Sequence, residues 1–229
     1  MIDSMDACAQ ASHTACPSPH AWLEKFEQEG NVIAITISSK LSGSYNSACA
    51  AKDMVLENQP DKKIAVIDSR STGPEMVLLV KKICEIIESG ADFDTVVSKA
   101  ELYSNHTHIV FALSSFNNLV KNGRMSKIVG FVANKLGFWG IGIGSKQGTI
   151  EIKQKIRGSK KALDAIIDDM KERGYNCGKV VISHCRNAEF AESVKSAIQS
   201  VWDKAEVKIV HARGLCSYYA EKGGLIIGF

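Results

Sequence analysis

Apolar residues fall along this chain in two rhythms. "NVIAITI" (31–37), "KIAVIDS" (63–69), "HIVFALSS" (108–115), "KVVISHC" (179–185) and "EVKIVHA" (206–212) are short, nearly unbroken apolar runs. The first two in particular read as strands buried on both faces. Between the runs lie longer helical segments at 43–58, 73–90, 92–105, 159–174 and 187–202. Their boundaries carry helix punctuation: Pro74 near a start, acidic residues in the turn after Asp92, and Gly90 and Gly174 at ends. Ser159 is expected to cap the segment that follows it, and Ser18 with Pro19 predicts a short helix after "TACPSP" (14–19).

After residue 106 the grammar changes. Residues 116–137 read as helical with a break at Asn122-Gly123, and 138–157 as strand material interrupted by glycine. A hairpin turn is predicted near Lys146-Gln147-Gly148. The final "GLCSYYAEKGGLIIGF" (214–229) is glycine-punctuated and ends in an apolar, strand-like tail. Alternating strands and helices predict an α/β protein. The shift predicts two domains, 1–106 built on a parallel sheet and 107–229 of α+β character.

Composition narrows the partners. The net charge is +3, from 28 basic and 25 acidic residues spread along the chain, so there is no clustered excess of the kind that marks a nucleic-acid surface. No apolar run approaches the roughly 18 residues of a membrane-spanning helix, and residues 1–20 show no apolar signal-peptide core. Seven cysteines (Cys8, Cys16, Cys49, Cys84, Cys177, Cys185 and Cys216) make an odd number without metal-type pairing. They read as free thiols of a reducing compartment, hence a cytoplasmic protein.

The candidate chemistry sits where the first strand ends, in "SSKLSG" (38–43), immediately before a helix. In an open α/β sheet, ligands bind beyond the carboxyl ends of strands, at such a turn. Backbone N–H groups and the helix dipole favour an anion there. Ser38, Ser39, Ser42 and Ser44 add hydroxyls, and Gly43 permits close approach of a ligand. The turn suits a carboxylate or a phosphate; it also suits a simple cap by Ser42 with the other hydroxyls facing water. A P-loop, a dinucleotide-binding glycine fingerprint and a nucleophile elbow are all absent; "GIGIG" (140–144) lies in strand-like surroundings with no helix after it. The six histidines form no H-x-x-x-H pair and the cysteines no C-x-x-C pair, so no metal ligands and no catalytic residues are assigned.

Five motifs in order, "TACPSP" (14–19), "ISSKLSGSYNSA" (37–48), "VIDS" (66–69), "NNLVKNGRMSK" (117–127) and "KIRGSKKAL" (155–163), resemble those of the DegV family. The resemblance runs from about residue 12 to the end. It implies a two-domain α/β protein that binds one long-chain fatty acid, with the tail in an apolar tunnel and the carboxylate at the domain junction. It further implies a non-enzymatic role without a cofactor. The bound acid would be presented to the catalytic subunit of a fatty acid kinase, in the service of phospholipid synthesis.

By position, the resemblance places the family's head-group threonine on Thr14 and its Ser-Gly pair on Ser42 and Gly43. Ser39 and Arg157 become supporting or partner-facing residues, with Lys153, Lys155, Lys160 and Lys161 making a basic cluster around Arg157. The implied tail pocket draws on "SKIVGFVANKLGFWGIGIG" (126–144), with Ile128, Phe131, Val132, Leu136 and Phe138 as its candidates. A sixteen-carbon chain buried at roughly 0.8 kcal/mol per methylene gains on the order of 10 kcal/mol before ordering costs. A hydrogen bond to the carboxylate adds only about 1.5–3 kcal/mol. Tail burial would therefore supply affinity, and the hydroxyls orientation.

Two departures accompany the resemblance. The family's opening strand, ahead of the "TACPSP" loop, is missing, and "MIDSMDAC" does not replace it. The first domain is therefore expected to be truncated, with an exposed apolar sheet edge. Many relatives also carry a His-Thr-Gly-Pro-Gly segment whose histidine bonds the head group. "CSYYAEKGG" (216–224) has no histidine, leaving Ser217, Tyr218 or Tyr219 as substitutes. Two other functions stay open at this point: an α/β enzyme holding a phosphorylated or carboxylate substrate at the Ser/Gly turn, and a relative that has lost its ligand.

Overall fold

The computed structural model of the chain describes residues 14–125 and 137–229. The first element is helix α1 (Pro19–Phe26), where the Ser18 hydroxyl accepts from the Ala21 N–H and Pro19 occupies the first turn. Strand β1 (Val32–Thr36) and strand β2 (Ile64–Asp68) form a two-stranded parallel sheet, in register from Val32 opposite Ile64 to Thr36 opposite Asp68. Helix α2 (Ser44–Asn58) connects them, and α3 (Pro74–Glu88) and α4 (Phe93–Ser104) follow.

Period-2 alternation explains why this small sheet, covered on both faces, is apolar up to Thr36 and Asp68 at its carboxyl end. Val32, Ala34, Ile64 and Val66 pack with Phe26, Ala48, Ala51 and Val55 of α1 and α2. Ile33, Ile35 and Ile67 pack with Leu79, Ile83, Val96 and Ala100 of α3 and α4. Both faces are covered, although Val32, Ile33 and Ile35 are only half-buried.

The second sheet has six strands in the order β5-β4-β3-β8-β6-β7. Its members are β3 (Ile109–Leu113), β4 (Phe138–Gly144), β5 (Ile150–Arg157), β6 (Lys179–His184), β7 (Glu206–His211) and β8 (Leu225–Gly228). Only β6 and β7 are parallel; β3–β4, β4–β5, β3–β8 and β6–β8 are antiparallel. The C-terminal strand is thus a central one, and all four of its residues are buried. One face of the sheet carries α6 (Ser159–Glu172) and α7 (Ala188–Val201), packed on Val110, Ile141, Ile182 and Ile227. The other carries α5 (Asn117–Lys121) and α8 (Gly214–Ala220), packed on Phe111, Leu113 and Ile226.

Two local expectations change. Ser159 is the first residue of α6 and not its cap: the cap is Gly158, at φ +93°, with no side-chain capping bond. Residues 214–220, for which the glycine-punctuated sequence predicted no helix, form α8. The helical reading of 116–137 holds for α5 and its stop at Asn122-Gly123; residues 126–136 lie outside the described residues.

Candidate ligand-binding site

The Ser/Gly turn leaves the carboxyl end of β1 and is held from three sides. The Ser38 N–H donates to the Ser71 carbonyl, and the fully buried Ser38 hydroxyl donates to the Gly148 carbonyl at 2.7 Å. The Asp68 carboxylate accepts from the N–H groups of Ser39 (3.1 Å) and Arg70 (2.9 Å). Ser38 and Ser39 therefore fix the turn, and Asp68 of "VIDS" is its anchor. Gly43 caps α2, and a Cβ at that position would lie 3.3 Å from Cys16 Sγ. The loop that carries Thr14 is tied to the same helix, since the Ser47 hydroxyl donates to the Pro17 carbonyl at 2.6 Å.

Thr14, Ser42 and Gly43 line one cavity of about 840 Å³, inside the roughly 300–1,000 Å³ usual for small-molecule sites. Its walls come from the 14–17 loop, the end of β1 with the Ser/Gly turn, Thr72 and Met76, α5 with Arg124, and Leu215, Cys216, Tyr219 and Ile226. A narrower apolar space of about 60 Å³ adjoins it, sharing Leu41, Thr72, Leu119, Ile150, Tyr219 and Ile226 and continuing along Ile109, Phe111 and Leu113 of β3. Together they run from hydroxyls and a helix start toward the apolar face of the six-stranded sheet.

Charge in the larger cavity is one-sided. Among the described lining residues Arg124 is the one cation, and there is no Asp, Glu, Lys or His. Its guanidinium donates to the carbonyls of Leu41 (3.3 Å) and Asn122 (2.6 Å), and no carboxylate among the described residues pairs with it. Ser42 Oγ accepts from the Ser44 N–H at 3.2 Å and shares a hydrogen bond with Ser44 Oγ at 2.9 Å. Burial pushes the Cys216 thiol up from its ordinary value, which keeps it protonated.

The remaining sequence candidates fall elsewhere. Ser39 is half-buried under the turn, outside the cavity lining. Ser217 is buried and its hydroxyl donates to the Gly214 carbonyl. Tyr218 Oη accepts from Asn122 Nδ2 at 2.8 Å, whereas Tyr219 lines both spaces. Phe138 is not in the lining; its ring lies beneath Lys155 Nζ and the Arg157 guanidinium. Arg157 is exposed at the end of β5. Lys153 pairs with Asp169 and Glu172 across to α6, so it is not part of an open basic cluster. Ile128, Phe131, Val132 and Leu136 lie outside the described residues. Two further clefts, of about 350 and 250 Å³, meet at Thr107, His108 and Arg173, away from Ser42, and mix charges of both signs.

Arg124, Trp22 and Thr36 went unselected by sequence reading. Arg124 lies inside the quoted "NNLVKNGRMSK", but nothing in the string says which of its cations turns inward. Two of the motif's three asparagines are structural: Asn118 and Asn122 hold Tyr218 of α8.

With this geometry in place, a family model described as "Uncharacterised protein, DegV family" matches residues 1–229. The chain belongs to the DegV family. A DegV domain-containing protein of Streptococcus pneumoniae R6 is 43% identical over 229 residues, covering 100% of this chain and 82% of the relative. Among solved structures, the fatty acid kinase (Fak) B3 protein of S. pneumoniae loaded with linoleic acid superposes with a TM-score of 0.96 at 43% identity, over 100% of this chain and 82% of that one. A DegV family protein of Eubacterium eligens loaded with heptadecanoic acid gives 0.95 at 38% identity, over 100% and 83%. Like those DegV structures, this chain has a mixed α/β fold with one parallel and one mixed sheet. Among the described residues no helix is long and apolar enough to cross a membrane.

Proposed function

We propose that this DegV protein binds one long-chain fatty acid, with the carboxylate at the Ser/Gly turn and the tail along the apolar face of the six-stranded sheet. The observation that carries the reading is the single cavity gathering Thr14, Ser42 and Gly43, with an apolar arm leading away from them. The relatives loaded with linoleic and heptadecanoic acids support the ligand class. Arg124 supplies the complementary charge, and of the three substitutes offered for the family's histidine it is Tyr219 that lines the cavity.

The protein acts as a carrier and not as a catalyst, in the cytoplasm, with no cofactor. A fatty acid kinase is its partner, a reading supported by the Fak B3 relative. The exposed end of β5 at Arg157, with Lys160 and Lys161 at the start of α6, is the face offered to it. The chain divides near residue 106 into two domains with the cavity at their junction. Each apolar cluster draws its residues from one side of that position.

The test is lipid extraction and mass spectrometry of the purified protein, with Ser42→Ala in parallel. One fatty acid per chain, depleted in the variant, is the expected result. A folded wild-type protein that neither retains nor takes up a fatty acid would overturn the reading.

A further inference from the structure

The clefts of about 350 and 250 Å³ that meet at Thr107, His108 and Arg173 share no residue with the lining of the cavity around Ser42. The smaller one gathers three cations from distant parts of the chain: Arg70 after β2, Lys146 in the β4–β5 hairpin and Arg173 at the end of α6. The Arg173 Nε donates to Asp169 at 2.9 Å, and its two terminal nitrogens have no hydrogen-bond partner among the described residues. Lys146 Nζ pairs with no carboxylate among them. Arg70 holds a left-handed backbone at φ +51°, a conformation that glycine adopts freely and other residues at a cost. What arginine adds there is a guanidinium at the cleft wall, braced by Ser104 and Asn105.

Glu75 is the one carboxylate among the described lining residues of this cleft. Both its oxygens already accept hydroxyls, from Ser71 and Thr107, and burial raises it above its ordinary value, which weakens the opposing charge. Burial, with the positive charges of Arg173, His106 and Lys146, lowers His108, so these cations converge where the two clefts join. The larger cleft differs in character. Tyr103, Tyr175 and Phe229 supply its apolar surface, and its Glu85 is already shared by Lys82 and Lys179. We propose that the two clefts form a second ligand site, for a phosphomonoester that carries a planar ring. The phosphate lies among Arg70, Lys146 and Arg173, and the ring against Tyr103 and Tyr175. Guanidinium forks match a phosphate dianion in shape and charge, and aromatic side chains favour a flat, apolar neighbour. The assignment is independent of the fatty-acid reading, which stands whether or not this site binds.

The experiment is calorimetric titration of the full chain with AMP, inorganic phosphate and adenosine, for wild type, Lys146→Glu and Lys204→Glu. Lys146 is exposed, so its substitution leaves the fold intact; Lys204 is an exposed lysine outside both clefts. AMP should bind wild type at least about tenfold more tightly than either phosphate or adenosine alone. Lys146→Glu should weaken AMP about tenfold or more, the loss of one charge-assisted contact, with an unchanged melting temperature. Lys204→Glu should change it by less than about twofold. Absence of AMP binding by the wild type would overturn the proposal. Phosphate binding as tightly as AMP would remove the ring's half of the site and overturn it too. Equal weakening in both variants would show general charge attraction in place of a site, with the same consequence.

Discussion

The bond from Ser38 to Gly148 joins the Ser/Gly turn to the β4–β5 hairpin across 110 positions of sequence, and a double-mutant cycle can isolate it. Ser38→Ala removes a buried 2.7 Å hydrogen bond and the acceptor of the Lys40 N–H, at a cost of about 1–3 kcal/mol. Gly148→Ala acts through geometry. Gly148 sits at φ +85°, and a Cβ there would lie 2.2 Å from Ser38 Oγ and 3.1 Å from the Arg70 backbone. The left-handed conformation costs a non-glycine residue roughly 1–2 kcal/mol, and overpacking adds about 1–3 kcal/mol. In the double variant the hydroxyl that would clash is gone and the hydrogen bond is lost only once. The pair should therefore fall short of the sum of its singles by about 1–3 kcal/mol. Reversible urea unfolding at constant m-value measures this, and each kcal/mol should appear as about 2–4 °C in a thermal scan. Additivity within about 0.5 kcal/mol would refute the contact.

Burial raises the Glu75 carboxyl above its ordinary value despite hydrogen bonds from Ser71 and Thr107. The folded state therefore takes up a proton more readily than the unfolded one, and this group favours folding increasingly as pH falls from neutral through the raised value, losing that effect as pH rises. The melting temperature of wild type minus that of Glu75→Gln should rise on acidification across that window, and a pH-independent difference would refute it. Cys16, Cys84 and Cys177 are all exposed, but only Cys16 lines the cavity. Palmitate should slow alkylation of Cys16 several-fold in peptide mapping and leave the other two unchanged; equal slowing at all three would place the ligand elsewhere.

Local pattern made most elements legible, since a buried strand and an amphipathic helix each write their own period into the chain. Ser18-Pro19 and Asp92 declared helix starts that the structure contains. Helix α8 escaped because seven residues are too few to show a period, and Gly214, Gly223 and Gly224 around it read as loop. The sheet order was also beyond reach: pairing β8 with both β3 and β6 depends on contacts more than a hundred residues apart for the first of them. At the site, the motif serines were visible, but the roles of Ser38 and Ser39 in fixing the turn were not. Thr36 looks like any strand threonine, and only its place in the cavity wall, a property of the folded chain, sets it apart.

The cavity wall runs from Thr14 to Ile226, drawing on stretches near both ends of the chain and several between them. An occupant touching those stretches behaves as a reversible cross-link that closes very long loops, a constraint whose entropic worth grows only slowly with loop length but is already large at this span. Such a molecule adds RT ln(1 + [L]/Kd) to the cost of unfolding. Two batches of the same chain with different acyl content will then resist heat and proteases differently, and protease resistance becomes a simple gauge of how full the protein is.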